Sequence, residues 1–245
     1  MQSESISGLP RDGTRPCGVI ESLLHAEPAF LRSWLAGGTG PSIPFMLGVL
    51  WVGAGLFGAA VGCWRSEQQA LITAIKLPLI LSLTAAGNSV LNAALAPLLG
   101  LNLGFRQTTL AILASLAMAA ILLGSLSPLL GFLVWNLPAM EGGTSRGFAH
   151  ALLLLSTVAA IAAAGLAANL RLFRFLVFAS GSRSVAVRIL FAWLTVNLLL
   201  GTQLTWIARP FFGSPHLPVQ WLRADAFSGN FLEATAYSVR RVLNP

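Results

Sequence analysis

The stretch Lys76–Phe105, KLPLILSLTAAGNSVLNAALAPLLGLNLGF, decides the fold of this chain. From Leu77 to Phe105 it contains 29 residues and no Asp, Glu, Lys, Arg or His. Such a run exceeds the ~20 apolar residues that a helix needs to cross a bilayer. The sequence therefore predicts a membrane span here, and with it a membrane protein.

Four residues of this stretch are candidates for a structural or functional role: Lys76, Pro78, Asn88 and Asn92. We expect Pro78 near the start of the helix, where its missing amide costs least, and Lys76 one turn before the apolar core, with its side chain extended to the lipid headgroups. Asn88 and Asn92 are four positions apart and share one helix face. Because an amide that faces lipid has no partner, that face is predicted to point toward other helices.

The composition agrees with a chain that lies mostly inside a bilayer. Hydrophobic residues make up 56% of the 245 positions and charged residues only 9%, against roughly 25% charged residues in soluble domains. The formal net charge is +7, but the cations lie between and beside apolar runs, as in loops and headgroup contacts, which argues against a nucleic-acid partner. Heavy use of Arg, Ala, Leu and Gly suggests a bacterial source. The lipid bilayer is the expected environment.

We therefore predict an all-α, polytopic membrane helix bundle of about five transmembrane helices, with amphipathic interfacial helices at both ends. The predicted parts are a disordered head (1–17), an interfacial segment and joint (18–42), the bundle (43–208), and a juxtamembrane turn with a C-terminal tail and short helix (209–245). The predicted spans are 43–63, 69–99, 107–138, 148–170 and 189–208. Pro128 favours one kinked span within 107–140, and a span followed by a re-entrant piece is the alternative.

Two further patterns describe how the spans pack and orient. Ala54, Gly58 and Gly62 recur every four residues, which predicts a close helix–helix interface. The segment Arg171–Arg188 carries four arginines and is predicted to be a helix end and a surface linker against anionic headgroups. By the positive-inside rule we assign this linker and the N-terminus to the cytoplasmic side.

Catalytic or coupling chemistry is sparse in the predicted spans. They contain no acidic residue, which disfavours a proton-coupled transporter. The amides of Asn88, Asn92, Asn197 and Gln203 form either a polar pocket or bonds between helices. Ser89 with His150 is a weaker alternative, an intramembrane serine hydrolase. The spacing of His and Cys and the lack of a phosphate-binding glycine loop predict no metal and no cofactor.

Three elements carry a resemblance to a known group: Lys76-Leu-Pro-Leu-Ile-Leu, Leu99-Gly-Leu-Asn, and Trp206-Ile-Ala-Arg-Pro-Phe-Phe-Gly-Ser-Pro. The chain resembles uncharacterised bacterial multi-pass membrane proteins with K-x-P-L-L and W-x-x-R-P-F-x-G-x-P elements. Some members of that group are labelled actin-binding WASP-homology proteins, and others are distantly Yip-like. The resemblance implies a membrane location and fold. An actin-binding motif would need a Leu-Lys-Lys-Thr-like stretch, whereas this chain has one lysine.

The function predicted from sequence is that of a non-enzymatic membrane scaffold or accessory subunit in the bacterial cytoplasmic membrane. A protein partner or a homo-oligomer is expected. Arg209 is predicted to anchor the end of the last span, and the residues from Pro210 to Pro215, with Phe211 and Gly213 among them, to shape a surface for lipid or a partner. The alternative is a small-solute transporter or channel that uses the intramembrane amides.

Overall fold

The computed structural model describes residues 42–137, 145–211 and 219–230. Within these ranges the secondary structure consists of five helices without strands: α1 Ile43–Gly62, α2 Glu67–Leu98, α3 Phe105–Asn136, α4 Ser145–Ser180 and α5 Arg183–Ala208. Each helix contains a stretch long and apolar enough to cross a membrane. The predicted all-α membrane bundle is confirmed. The predicted head (1–17), the interfacial segment (18–42, apart from Ser42) and the short tail helix lie outside the described residues.

Serine caps begin three of the helices. Ser42, Ser66 and Ser182 precede α1, α2 and α5, and each side-chain oxygen accepts a hydrogen bond from a backbone N–H in the first turn. At the start of α3 the Gln107 side chain accepts from the N–H of Gly104 at 3.0 Å. These bonds satisfy amides that have no partner within the helix, which matters most next to a bilayer.

Helices α2, α3, α4 and α5 form a ring. Contacts run from α2 to α3, from α3 to α4, from α4 to α5, and back from α5 to α2. Helix α1 stands outside the ring and packs against α2 and α3. The centre of the bundle is therefore bounded by four helices, and this is where the inward-facing amides lie.

Glycines on α1 bring it into backbone contact with α2. A Cβ added at Gly58 would lie 2.5 Å from the carbonyl oxygen of Thr73, and one at Gly62 would lie 2.6 Å from the Cα of Ala70. Ala54 is fully buried on the same face. The predicted close interface is confirmed, because no larger side chain fits between the two backbones.

Large apolar side chains cover the outside of the bundle on every helix. They include Val52, Leu71, Phe132, Leu155 and Phe191, each more than 60% exposed. A water-soluble protein rarely leaves so much apolar surface uncovered, whereas hydrocarbon solvates it. The pattern agrees with five spans in contact with lipid.

The structure corrects two predictions about the helices. Pro78 lies well inside α2, which begins at Glu67, so the prediction that it opens the helix is wrong. The predicted linker within Arg171–Arg188 is too long, because α4 continues to Ser180 and α5 begins at Arg183. Between them, Gly181 adopts a φ of 64°, a left-handed conformation that suits glycine. Apolar residues between the arginines allow both helices to continue. Helix α3 runs unbroken to Asn136, as the single-span interpretation expects.

Candidate functional site

Three asparagines form a hydrogen-bonded chain inside the ring. Asn92 Nδ2 donates to Asn88 Oδ1 at 3.2 Å, and Asn88 Nδ2 donates to Asn197 Oδ1 at 2.8 Å. Both α2 asparagines are 1% exposed. The prediction that their face points inward is confirmed, and this amide chain ties α2 to α5 where lipid offers no hydrogen-bond partner.

A cavity of about 80 Å³ opens beside the amide chain. All four ring helices contribute to it; the lining residues are Asn88, Asn92, Ile112, Ser115, Leu116, Ala119, Gly165, Ala168, Asn169, Leu172, Trp193, Leu194 and Asn197. The described residues that line it are uncharged. A water molecule takes about 30 Å³ in the liquid, so the space suits two or three waters or one small molecule.

Two buried polar atoms of this lining have no hydrogen-bond partner among the described residues. They are Asn92 Oδ1, an acceptor, and Trp193 Nε1, a donor. Trp193 is 2% exposed, and Asn92 is at the end of the amide chain. An unpaired polar atom inside a membrane costs several kcal/mol, so this pair marks the cavity as a place where a polar molecule would be stabilised.

Two other sequence candidates are not part of this cluster. Gln203 is half-buried on α5 and does not line the cavity, because six residues after Asn197 it projects from another face of the helix. Ser89 is buried, and its hydroxyl donates to the carbonyl oxygen of Ala85 within α2 at 2.7 Å. The side chain of His150 lies outside the described residues, so the Ser–His hypothesis stays a prediction.

A second polar cluster, here called the carbonyl clamp, lies in the first three turns of α2. Gln69 Nε2 donates to the Phe211 carbonyl oxygen at 2.9 Å, and Thr73 Oγ1 donates to the same oxygen at 3.0 Å. Lys76 Nζ donates to the Pro210 carbonyl oxygen at 3.2 Å. The chain after α5 is thereby held against α2 by its backbone.

The clamp depends on helical spacing. Positions 69, 73 and 76 fall at i, i+4 and i+7, so Gln69, Thr73 and Lys76 form one stripe along α2. All three are at most 2% exposed. Sequence reasoning selected the lysine but missed Gln69 and Thr73, although this spacing of polar residues in an apolar helix was visible in the sequence.

Lys76 is not a headgroup anchor, and that prediction is wrong. It lies nine residues after Glu67, about 14 Å along the helix at ~1.5 Å per residue. Its Nζ is 5.9 Å from the centroid of the Phe211 ring and 5.6 Å from that of Trp221, within the ~6 Å range of cation–π attraction. Residues after α5 supply a carbonyl oxygen, from Pro210, and two aromatic rings within reach of Nζ. The Lys76 side chain therefore does not need to extend to the membrane surface.

Arg209 likewise binds protein groups. Its Nη2 lies 2.9 Å from Asp225 Oδ2 and 3.2 Å from the Asp225 carbonyl oxygen. Its guanidinium stacks 3.7 Å from the centroid of the Trp206 ring, and Trp206 Nε1 donates to the Ser228 carbonyl oxygen at 3.3 Å. These contacts hold residues 219–230, here called the platform, against the end of α5. Gly213 and Pro215 lie outside the described residues.

The clamp brings together two of the elements on which the family resemblance depends. Lys76 belongs to the K-x-P-L-L element, and Pro210 and Phe211 belong to the W-x-x-R-P-F element. No protein-family model, curated protein or solved structure matches the chain, so no relative supplies a role for either cluster. Function must be inferred from the two clusters themselves.

Proposed function

We propose that the chain is a non-enzymatic scaffold or accessory subunit of a bacterial cytoplasmic-membrane complex, and that its platform docks a protein partner in the membrane. The carbonyl clamp carries this proposal. A segment that only trailed from α5 would need no bonds to α2, whereas Gln69, Thr73 and Lys76 all bind the backbone that leads to the platform. The clamp fixes the position of the platform relative to the bundle.

The platform presents apolar side chains from this fixed position. Phe227 is 80% exposed, and Trp221 and Leu222 are about 40% exposed. Aromatic residues are enriched at the cores of protein interfaces and at membrane interfaces. We favour a protein partner, because lipid contact alone does not require the segment to be bonded at Arg209, Trp206 and Lys76.

Site-specific photo-crosslinking in cells tests the docking proposal. A photoreactive amino acid replaces Phe227 in the full chain, and the matched control carries it at Phe191, which is 73% exposed in α5. We expect a defined protein adduct from position 227, and none from 191. The same adduct should disappear in a Lys76→Met background, because the clamp no longer positions the platform. Lipid adducts alone at both positions would overturn the proposal.

Affinity purification from native membranes is the complementary test. Recovery of a stable complex that contains the crosslinked protein would support an accessory role. Recovery of monomer alone, in a strain where deletion alters no complex and no envelope property, would contradict it.

For orientation we propose that the α4–α5 turn faces the cytoplasm. Arg174, Arg183 and Arg188 are exposed around this turn, where they suit anionic headgroups and the positive-inside rule. Five spans then place the platform on the opposite, periplasmic side. Docking would accordingly involve a periplasmic or membrane-embedded part of the partner.

The cavity favours a second candidate, a facilitator for a small solute. It lies within the four-helix ring, and its lining combines amides with apolar side chains. Flux through the reconstituted chain that is abolished by Asn88→Ala or Asn92→Ala, with folding intact, would favour this function. Flux that these variants leave unchanged would assign the amides to packing.

A further inference from the structure

We propose that the cavity within the α2–α5 ring binds a small uncharged polar molecule, of primary-amide size, that donates to Asn92 Oδ1 and accepts from Trp193 Nε1. Both residues line the cavity, and neither atom has a partner among the described residues. A molecule with one donor and one acceptor would satisfy both atoms. Both atoms are covered by neighbouring atoms in this arrangement, so binding requires the Asn92 and Trp193 side chains to turn toward the cavity.

The charges of the lining define the class of ligand. The described lining residues carry none, so an ion would lose its hydration without a counter-charge. A cation would also need several oxygen ligands. In the amide chain, Asn88 Oδ1 and Asn197 Oδ1 each already accept one hydrogen bond, and Asn92 Oδ1 accepts none among the described residues. Neutral molecules are therefore favoured over Na⁺ or K⁺.

The cavity volume sets the size of the ligand. A space of about 80 Å³ suits a molecule of a few non-hydrogen atoms. The apolar lining residues, such as Ile112 and Leu194, suit a ligand that also carries a methyl group. Acetamide combines this size with one donor group, one acceptor and one methyl group, and it serves as the probe.

Gly165 offers a way to fill the cavity without disturbing the helices. It lines the cavity on α4, and a Cβ added there would meet no heavy atom within 4 Å. Gly131 on α3 has the same open surroundings but does not line the cavity. Gly165→Leu and Gly131→Leu are therefore a matched pair that differ in whether the new side chain enters the site.

Saturation-transfer difference NMR with acetamide, on the full chain in lipid nanodiscs, tests binding. We expect a signal from the natural chain and from Gly131→Leu, and none from Gly165→Leu. Circular dichroism confirms that each variant keeps its helices. The proposal is overturned by a natural chain without signal, as when only water occupies the cavity, or by a Gly165→Leu signal equal to the control.

Trp193→Phe provides an independent test because it removes the donor and keeps an aromatic ring. If acetamide accepts from Nε1, its affinity should fall about tenfold, the usual worth of one hydrogen bond. If the donor has no partner in the natural protein, its removal should raise the melting temperature and leave acetamide binding unchanged, and this result would contradict the proposal. Neither result bears on the proposal that the platform docks a partner, because the cavity and the platform share no residue.

Discussion

Lys76 Nζ donates a hydrogen bond to the Pro210 carbonyl oxygen at 3.2 Å, across 134 positions of sequence. The contact joins the first third of α2 to the residues that follow α5. It places these two segments on the same side of the bundle, as five successive crossings require. The contact also places the only lysine of the chain between a backbone carbonyl and the rings of Phe211 and Trp221.

Lys76→Met should release the chain after α5. The variant keeps a side chain of similar length but loses a hydrogen bond from a charged donor, typically worth about 1.5–3 kcal/mol. Hydrogen–deuterium exchange of platform amides such as those of Ala226 and Ser228 should become faster, while that of α3 stays slow. Arg188→Met, at an exposed cation on α5, is the control and should leave platform exchange unchanged. Unchanged protection in Lys76→Met would show that the clamp does not hold the platform.

Asn88→Leu should destabilise the bundle more than Asn92→Leu. Asn88 both accepts from Asn92 and donates to Asn197, so its loss breaks two hydrogen bonds, whereas loss of Asn92 breaks one and removes an unpaired oxygen. Unfolding in mixed micelles should show a coupling energy between Asn88 and Asn197 of about 0.6 to 1.7 kcal/mol in a double-mutant cycle. A coupling near zero would mean that the 2.8 Å contact does not contribute to stability.

Gly58→Ala should loosen the α1–α2 interface. Its Cβ would lie 2.5 Å from the Thr73 carbonyl oxygen, and backbone must move to relieve this overlap, at a cost of about 1–3 kcal/mol. Gly48→Ala, also on α1, meets no atom within 4 Å and should be neutral or slightly stabilising, because alanine favours a helix. Thermal melts of the two variants make the comparison. Equal melting temperatures would contradict the close packing at Gly58.

Cys63 reports the orientation of the protein. It is exposed at the end of α1, on the side of the bundle where α2 begins and α5 ends. In a Cys17→Ser variant it is the single thiol of the chain. With the α4–α5 turn in the cytoplasm, a membrane-impermeant maleimide should label Cys63 in intact cells. Protection in intact cells, with labelling only after lysis, would reverse the assignment.

The sequence by itself determined the membrane bundle and the direction of its amides. Hydropathy is a local property that adds up along a segment, so the uncharged runs predict spans without knowledge of their neighbours. The inward direction of Asn88 and Asn92 follows for the same reason, because lipid offers an amide no partner on any other face. The small-residue spacing of Ala54, Gly58 and Gly62 is equally local.

Only the tertiary structure determined which residues Lys76 and Asn88 contact. Lys76 has an apolar stem and a charged end, so from the sequence alone it could bind either a lipid headgroup or a buried carbonyl oxygen. It binds a carbonyl oxygen because the chain after Ala208 places that of Pro210 within reach. The partner of Asn88 is Asn197 and not Gln203 because the packing of α5 against α2 fixes which face of α5 is presented. The cavity depends on four helices at once. Such contacts depend on helix rotation and depth, which no single segment encodes.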